Sequence, residues 1–266
     1  MKFILFSLLC LFSFSNAQER NYEITAASFL GGSFSEDEVR AVEILSDGTV
    51  VVAANLFGIQ PGDFSPVLLN DADSESPGTI LRFSPDGVHL LSVTRLSERV
   101  VDLSADSADN LYVAAGSNGM IKLNAQADEI VWHKSYRESV YRVDSSPAGY
   151  CVCMLESGTD WDSMHLNAVH FYVYDPEGIE LGHSDGYRYT RDVCIDELSE
   201  TVIHTGWRPT DVFDGVQTNP VHIPYLRGQA YGGELKYTGY DWDENVNSDR
   251  YLNRPENNRW EEHTSE

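Results

Sequence analysis

The chain has 266 residues, of which 42 are acidic and 18 basic, and 42% of its residues are hydrophobic. This content of apolar and aromatic residues excludes a wholly disordered, collagen-like or disulfide-dense protein, so we expect a folded chain with a real core. The formal net charge of −24 argues against a nucleic-acid partner, because binding phosphates requires clustered Lys and Arg. The charge favours cations, calcium or basic partners, or simply keeps the protein soluble.

The first 17 residues have the layout of a secretory signal peptide. They contain a basic residue at Lys2, an apolar run from Phe3 to Phe14, and a small residue at Ala17. The apolar run is too short to span a bilayer, and no later segment reaches about 18 apolar residues. We therefore expect cleavage after Ala17, a secreted or periplasmic chain, and no membrane span. An uncleaved anchor is the alternative.

Three cysteines follow the predicted cleavage site: Cys151, Cys153 and Cys194. In a strand, Cys151 and Cys153 point to the same side but lie too far apart for normal disulfide geometry. At most one of them can therefore pair with Cys194. A buried thiol that acts as a small hydrophobic residue is the ordinary interpretation of an unpaired cysteine.

An internal repeat is the most informative pattern in the rest of the chain. Four segments contain a turn followed by a short apolar run that ends in small residues, and they span 46–55, 108–117, 148–157 and 199–208. Each follows another short run that ends near an acidic residue, at 39–46, 99–106, 140–147 and 191–198. Aligning Val50, Leu111, Cys151 and Val202 gives intervals of 61, 40 and 51 residues. These intervals fall around the period of a four-stranded propeller blade with loop insertions.

The second half of each unit repeats as a hairpin. Its turns are predicted at Gly87, near Ala127, at Gly178 and at Gly232 with Gly233. Glycine supplies the positive φ that such turns need. Four strands per unit, repeated four times, predict an all-β protein: a β-propeller of about four recognisable four-stranded blades. Helical periodicity is not sustained anywhere after the signal peptide.

Polar insertions explain the uneven period. Residues 57–78 separate the two halves of the first unit, and residues 157–168 and 208–220 occupy the equivalent place in the third and fourth units. The second unit has only a short Ser-Asn-Gly connection there. Long loops at one structural position should lie on one face, where a propeller usually presents its binding site.

Residues 30–55 resemble a known type of repeat. A Leu-Gly-Gly phrase, a few polar residues, a Val-containing strand and an Asp-Gly turn precede a strand with small residues. This order is similar to the SBBP-like or NHL-like repeats of secreted bacterial β-propellers, and the resemblance extends loosely from Phe29 to about Trp242. It implies the propeller fold and no activity, because propellers host binding proteins, enzymes and scaffolds alike.

Ring closure depends on the number of strands available. The stretch from Tyr22 to Leu30 has the character of a closing strand, but residues 243–266 are mostly polar and contain no strand-turn-strand pattern. We therefore divide the chain into a signal peptide (1–17), a propeller-like domain (18–242) and a polar tail (243–266). Either four blades close in an unusual way or, as we expect, the blades are an incomplete part of a larger propeller.

The sharpest local signal for a metal is an alternation of oxygen-bearing side chains near the C-terminus. Calcium takes about 6 to 8 oxygen ligands, and closely spaced Asp and Asn can supply several of them. The alternating residues are Asp241, Asp243, Asn245, Asn247 and Asp249. The pattern departs from an EF-hand at Val246 and Leu252, where Gly and Glu are required. A looser calcium site is one interpretation, and a solvated polar tail is the simpler one.

Other candidate residues have ordinary alternatives. Acidic clusters in the insertions can bind cations or only keep a loop solvated; they are Asp71, Asp73 and Glu75, and Asp160 with Asp162. His165 and His170 lie at the end of an insertion, and His204 replaces an apolar residue of the repeat, where a hydrogen-bonded core histidine is the simpler interpretation. The tryptophans favour packing between blades over ligand stacking.

No sequence motif for nucleophilic, zinc or nucleotide chemistry is present. We therefore predict an exported binding module, in preference to an enzyme, that recognises a protein or carbohydrate ligand through loops on one face. The alternative is a propeller hydrolase or lyase that uses loop carboxylates and histidine with a metal ion. An enzyme predicts that these groups converge near the central axis, whereas a binding module predicts scattered polar groups and exposed aromatic rings.

Overall fold

The computed structural model describes residues 37–57, 65–73, 75–156, 169–186, 189–209, 222–231 and 234–240. These residues form only strands and their connections. The strands are β1 (Glu38–Ile44), β2 (Val50–Asn55), β3 (Val67–Leu69), β4 (Gly78–Phe83), β5 (Leu90–Leu96), β6 (Asp102–Ala105), β7 (Leu111–Ala114), β8 (Met120–Leu123), β9 (Ile130–Lys134), β10 (Ser139–Ser145), β11 (Cys151–Glu156), β12 (Val169–Tyr174), β13 (Glu180–Gly186), β14 (Tyr189–Asp196), β15 (Thr201–Pro209), β16 (His222–Ala230) and β17 (Leu235–Tyr240).

The strands form four antiparallel sheets, one for each predicted repeat unit. The first blade has the order β1-β2-β4-β5, with the short β3 added in parallel to β5 at the far edge. The second, third and fourth blades are β6 to β9, β10 to β13 and β14 to β17, each in sequential order. The predicted four strands per unit, repeated four times, are therefore confirmed.

The blades share irregularities at the same positions. The first strand shifts register by one residue between Val39 and Ala41 in the first blade, and at equivalent places in the third and fourth blades. A second shift separates the third and fourth strands in all four blades. A bulge increases the local twist of a strand. Because the bulges recur at equivalent positions, the blades share local geometry as well as strand number.

The turn between the first and second strands requires the left-handed backbone conformation in every blade. The residue one or two positions before the second strand has a positive φ each time: Gly48 (86°), Asp109 (65°), Gly149 (89°) and Glu200 (49°). The predicted hairpin turns at Gly87 and Gly178 also have positive φ, as does Ala127. Gly232 and Gly233 lie outside the described residues.

The first strands β1, β6, β10 and β14 are the inner strands of the propeller. β1 packs on β6, β6 on β10, and β10 on β14. Faces of successive blades enclose apolar clusters between first and second, second and third, and third and fourth blades. Within the described ranges, no comparable packing joins the fourth blade to the first, so these blades form an open arc. The β-propeller fold is thus observed with its ring unclosed.

The long connections start from the same end of each blade. They join the second strand to the third, after Asn55, Glu156 and Pro209, and the second blade has only a tight turn there. Antiparallel pairing places equivalent strand ends together, as predicted. Within the part of the chain that the structure describes, no helix is long and apolar enough to cross a membrane. The signal peptide and the domain limits at residues 18, 242 and 243 stay predictions.

Candidate functional site: an acidic inner face

One face of each inner strand points toward the next blade, and in every blade it carries an acidic side chain that is half-buried or exposed. Residues two apart in a strand share a face, so register alone brings together equivalent positions of the four strands. We define the inner acidic face by one carboxylate from each blade: Glu43, Asp102, Asp144 and Asp192. Arg142 lies on the same face of β10, with its Nε 3.9 Å from Asp192 Oδ1.

Burial and the charges of the other carboxylates both raise pKa values on this face. Burial raises the pKa of Glu43, and the charges of Asp144 and Asp102 raise it further. Burial likewise raises the pKa of Asp102 and of Asp144, and Asp192 adds to both shifts. Four blades therefore direct negative charge to a common region.

Two of these carboxylates also join neighbouring blades. Asp102 Oδ2 accepts a hydrogen bond from the backbone N–H of Val143 on the next inner strand at 3.1 Å. Asp144 Oδ2 accepts one from Ile195 N–H at 2.9 Å. An inner strand is a sheet edge with unpaired backbone groups, so these side chains supply partners that no further strand provides.

Ser104 extends the same arrangement. Its Oγ accepts a hydrogen bond from Ser145 N–H at 3.0 Å and lies 2.8 Å from Ser145 Oγ. Asp102 and Ser104 thus bind backbone N–H groups two residues apart on β10. Among the contacts of the described residues, neither the Glu43 nor the Asp192 carboxylate accepts a hydrogen bond from a following blade. These two carboxylates therefore take no part in the hydrogen-bonded junctions between the described blades.

Chemically, the face favours positive charge. A carboxylate with a raised pKa can also serve as a general acid, but this requires a reacting group beside it. The described residues place no histidine on the face and contain no group of three His, Cys, Asp or Glu side chains that could hold a metal ion.

The predicted calcium ligands lie elsewhere. Asp241, Asp243, Asn245, Asn247 and Asp249 are outside the described residues, as are Asp160, Asp162 and His165. The cluster of Asp71, Asp73 and Glu75 lies within the described residues, and all three are exposed. Asp73 Oδ1 accepts hydrogen bonds from Glu75 N–H and Ser76 Oγ, so this carboxylate closes its own turn.

His204 is a core residue. Its side chain is buried, its ring centroid is 4.6 Å from that of Phe171, and its Nε2 is 3.1 Å from Gln229 Oε1. Burial, with the nearby Arg227 charge, lowers the pKa of His204 to about 4, so the ring is neutral at physiological pH. The simpler interpretation is confirmed. His170 lies on β12 and is half-buried.

Trp132 fills space between the second and third blades. Its ring lies 5.9 Å from Tyr112 and 6.0 Å from Tyr174, and its Nε1 donates to Pro176 O at 3.2 Å. The packing role is confirmed for this residue. Trp161, Trp242, Trp260 and the side chain of Trp207 lie outside the described residues.

The cysteines are unpaired. Cys151 and Cys153 are buried, Cys194 is exposed, and no disulfide joins the three. Burial raises the pKa of each thiol, which makes them poor nucleophiles at neutral pH.

The acidic face was not selected from the sequence. The repeats showed an acidic residue near the end of each first strand, but an ordinary loop explanation applied equally well. The signal that distinguishes them is register: aligned on the second strand, Asp102 and Asp192 occupy one position, and Glu43 and Asp144 occupy the position two residues later. Positions on the same face of every unit indicate a shared site.

Comparisons with known proteins identify the fold only. No protein-family model matches the chain, and no curated protein is similar to it. Hydrazine synthase from Kuenenia stuttgartiensis superposes with a TM-score of 0.50 at 11% identity, over 79% of this chain and 53% of that one.

Two WD40 domains are also similar. The C-terminal WD40 domain of Sif2 gives a TM-score of 0.48 at 12% identity, over 80% of this chain and 49% of the other. The WD40 β-propeller domain of Doa1 gives 0.45 at 11% identity, over 73% and 51%. The chain thus spans about half the length of each of these three solved proteins. The chain is similar to β-propellers, and its finer likeness to SBBP-like or NHL-like repeats stays a prediction.

Proposed function

We propose that the chain is an exported propeller binding module that recognises a basic segment of a protein partner at its inner acidic face. The observation that carries the proposal is the convergence of four carboxylates, one from each blade, with Arg142 as the opposing charge among the described residues of that face. The net charge of −24 adds a long-range attraction for the same class of partner.

Electrostatics supports a charged partner in preference to a neutral carbohydrate. Glu43 is only partly buried, and its raised pKa reflects in part a repulsion that a nearby cation relieves. A Lys or Arg side chain entering this region gains attraction from several carboxylates at once.

The test uses a short fluorescent oligolysine peptide and the full chain. Binding is measured by fluorescence anisotropy at low and at physiological ionic strength, with an uncharged Gly-Ser peptide for comparison. Glu43→Gln removes one charge without touching the bonds that Asp102 and Asp144 make between blades. Losing one charge pair is worth about 1 kcal/mol, so we expect Kd to rise roughly fivefold.

The matched control is Glu75→Gln, which removes the same charge from the exposed insertion of the first blade. It should leave Kd nearly unchanged, because exposed charges at a distance are screened. Equal effects of the two variants would show that the peptide follows net charge alone and would contradict a site at the inner face.

The enzyme alternative gains no specific support. Carboxylates converge as an active site would require, but His204 is committed to the core and His170 lies on the third strand of the third blade. Neither belongs to the inner acidic face.

Calcium binding by Asp241, Asp243, Asn245, Asn247 and Asp249 stays a prediction. Thermal melting of the full chain in chelator and then in excess calcium tests it, since a ligand at 100 times its Kd stabilises by about 2.7 kcal/mol. We expect a rise in Tm that is lost in Asp243→Asn. An unchanged Tm would favour a solvated tail.

A further inference from the structure

The inner strand of the first blade exposes apolar side chains that the other blades bury. Val39 is 51% exposed, Val42 55% and Ile44 70%. At the position of Val42, the later blades have Leu103, Val143 and Val193, which are 3 to 5% exposed. At the position of Val39, the third and fourth blades have Val140 and Thr190, at 0 and 1%.

The difference follows from position in the arc. Leu103, Val143 and Val193 each face the preceding blade and belong to the apolar clusters between blades. Val39, Val42 and Ile44 face away from the second blade, on the same side as Val50 and Val52. This stripe has the sequence of a blade interface, and among the described strands no inner strand of a preceding blade packs on it.

The opposite end of the arc carries the complementary half of the same interface. Asp192 occupies the position of Asp102, whose carboxylate accepts the Val143 N–H of the following blade. Cys194 occupies the position of Asp144, which bonds Ile195 N–H. The Asp192 side chain is 73% exposed and the Cys194 residue is also exposed.

We propose that a second copy of this chain completes the ring. The fourth blade of each copy docks on the first blade of the other, with Asp192 accepting the Val42 N–H across the junction. The same chain carries both halves of an interface that it already makes three times between its own blades. Two such junctions related by a two-fold axis close the assembly, so polymerisation stops at two copies.

The geometry is consistent with known ring sizes. Propellers have about four to eight blades, and two four-bladed arcs reach the upper end of that range. The second copy would also contribute a second set of inner carboxylates to the axis. The inference concerns assembly and holds whether or not the inner face binds a basic partner.

The test measures the mass of the full chain in solution by light scattering after size exclusion. We expect twice the mass of one chain for the wild type. Val42→Asp and Asp192→Lys should each be monomeric, because one places a charge in the apolar stripe and the other reverses the carboxylate opposite it. Ile179→Asp, which alters an equally exposed apolar residue on the third blade, should remain dimeric.

Mixing the two monomeric variants provides the decisive measurement. In a mixed dimer, one junction brings the new ammonium of Asp192→Lys against the new carboxylate of Val42→Asp, and the other junction is wild type, so dimers should reappear. Circular dichroism and a cooperative melt confirm that each variant is folded. A monomeric wild type, or a dimer that both variants leave intact, would overturn the proposal.

Crosslinking gives an independent readout. Ile44→Cys places a thiol opposite the native Cys194 of the other copy, and mild oxidation should give a disulfide-linked dimer on a non-reducing gel. Ile179→Cys is the matched control and should give none. Equal crosslinking in both variants would contradict the predicted junction.

Discussion

The two faces of the second blade hold their neighbours by different means. Toward the first blade, Leu111, Val113 and Ile121 enter a continuous apolar cluster. Toward the third blade, the alternate residues Tyr112 and Lys122 make polar contacts although they are fully or almost fully buried. A single sheet therefore forms one junction mainly by apolar packing and one in which an apolar cluster is combined with buried polar contacts.

The polar junction depends on backbone acceptors of the third blade. Lys122 Nζ donates to Pro176 O at 2.9 Å and lies 3.9 Å from Asp106 Oδ2. Tyr112 Oη lies 3.0 Å from Asp106 Oδ2 and 2.8 Å from Gly149 O. Gly149 fits closely here, because a Cβ would lie 3.1 Å from both Asp106 Oδ2 and Tyr112 Oη. Such directional contacts fix the position of one blade against the next.

The apolar junction contains few polar contacts but is not free of them. Asn55 exchanges two hydrogen bonds of 2.8 Å with the backbone of Val100. Thr94 Oγ1 donates to Ala127 O. These contacts satisfy buried groups at the edges of the cluster, while the area of contact is apolar. Alternate residues of β7 and β8 therefore face two differently packed blade junctions.

The largest effect should come from the apolar face. Ile121→Ala removes a fully buried side chain from the cluster between the first and second blades, and we expect a loss of about 2 to 5 kcal/mol in the free energy of unfolding. Urea denaturation measures the change. Val131→Ala, half-exposed on the paired strand β9, is the control and should cost under about 0.5 kcal/mol. Similar losses for both variants would contradict the packing argument.

Lys122→Met should weaken the polar contacts between the second and third blades. We expect it to lower the free energy of unfolding by less than Ile121→Ala does. Met retains most of the apolar volume, but Pro176 O loses a donor and the buried Asp106 carboxylate loses a nearby positive charge. The other hydrogen bonds to Asp106 remain, so we expect a loss of about 1 to 3 kcal/mol by urea denaturation.

Lys134→Met is the matched control on the same hairpin. Lys134 lies over the rings of Trp132 and Tyr174 and is only half-buried, so its loss should cost less than about 1 kcal/mol. If Lys134→Met proved more damaging than Lys122→Met, the polar junction would depend on the aromatic stack and not on the buried ammonium.

Local patterns predicted the strands and their turns, because alternation and turn residues act over short distances. The turn at Gly87 and the strand before it could be recognised within a short window of sequence. The blade junctions could not. Lys122 meets Pro176 54 positions later, and Asp144 meets Ile195 51 positions later. A buried Lys in a strand and an Asp near a strand end look like ordinary surface residues until the blades are stacked.

Register explains why the candidate site was missed while the fold was found. The repeat alignment needed only the second strand of each unit, whose apolar residues are continuous. Placing Glu43, Asp102 and Asp144 on one face requires the pairing register between the first and second strands, and the repeat alignment did not use the first strand. At the predicted metal site, by contrast, oxygen-rich spacing was visible in the sequence, but it lies outside the described residues.

Tyr112→Phe separates the contribution of the hydroxyl hydrogen bonds to stability from that of ring packing. The ring remains against Trp132, but the hydroxyl contacts to Asp106 and Gly149 are lost. We expect a loss of about 1 to 2 kcal/mol in the free energy of unfolding. Tyr150→Phe, in the neighbouring turn, is the control and should be close to neutral. An unchanged stability of Tyr112→Phe would mean that ring packing alone carries this part of the junction.

A half-buried carboxylate on an inner strand and an exposed carboxylate in an outer turn should change the free energy of unfolding with pH in opposite directions. Burial raises the pKa of Asp144, so the folded protein binds a proton more readily than the unfolded chain, and wild-type stability rises as pH falls from neutral through that raised pKa. Asp144→Asn keeps an oxygen for Ile195 N–H and places its amide near Ser104 Oγ. We expect this variant to be at least as stable as the wild type at neutral pH, with the difference disappearing in acid.

Asp47 provides the opposite case on the exposed turn of the first blade. Hydrogen bonds from Thr49 lower the pKa of Asp47, so its contribution to stability is present at neutral pH and is lost as pH falls through the lowered pKa. Asp47→Asn should therefore be less stable than the wild type at neutral pH and equal to it in strong acid. Urea midpoints measured across pH for both variants test the pair. If Asp144→Asn were also less stable than the wild type at neutral pH, the hydrogen bonds of the Asp144 carboxylate would outweigh the cost of burying its charge. That result would contradict the opposite pH dependence expected for the two sites.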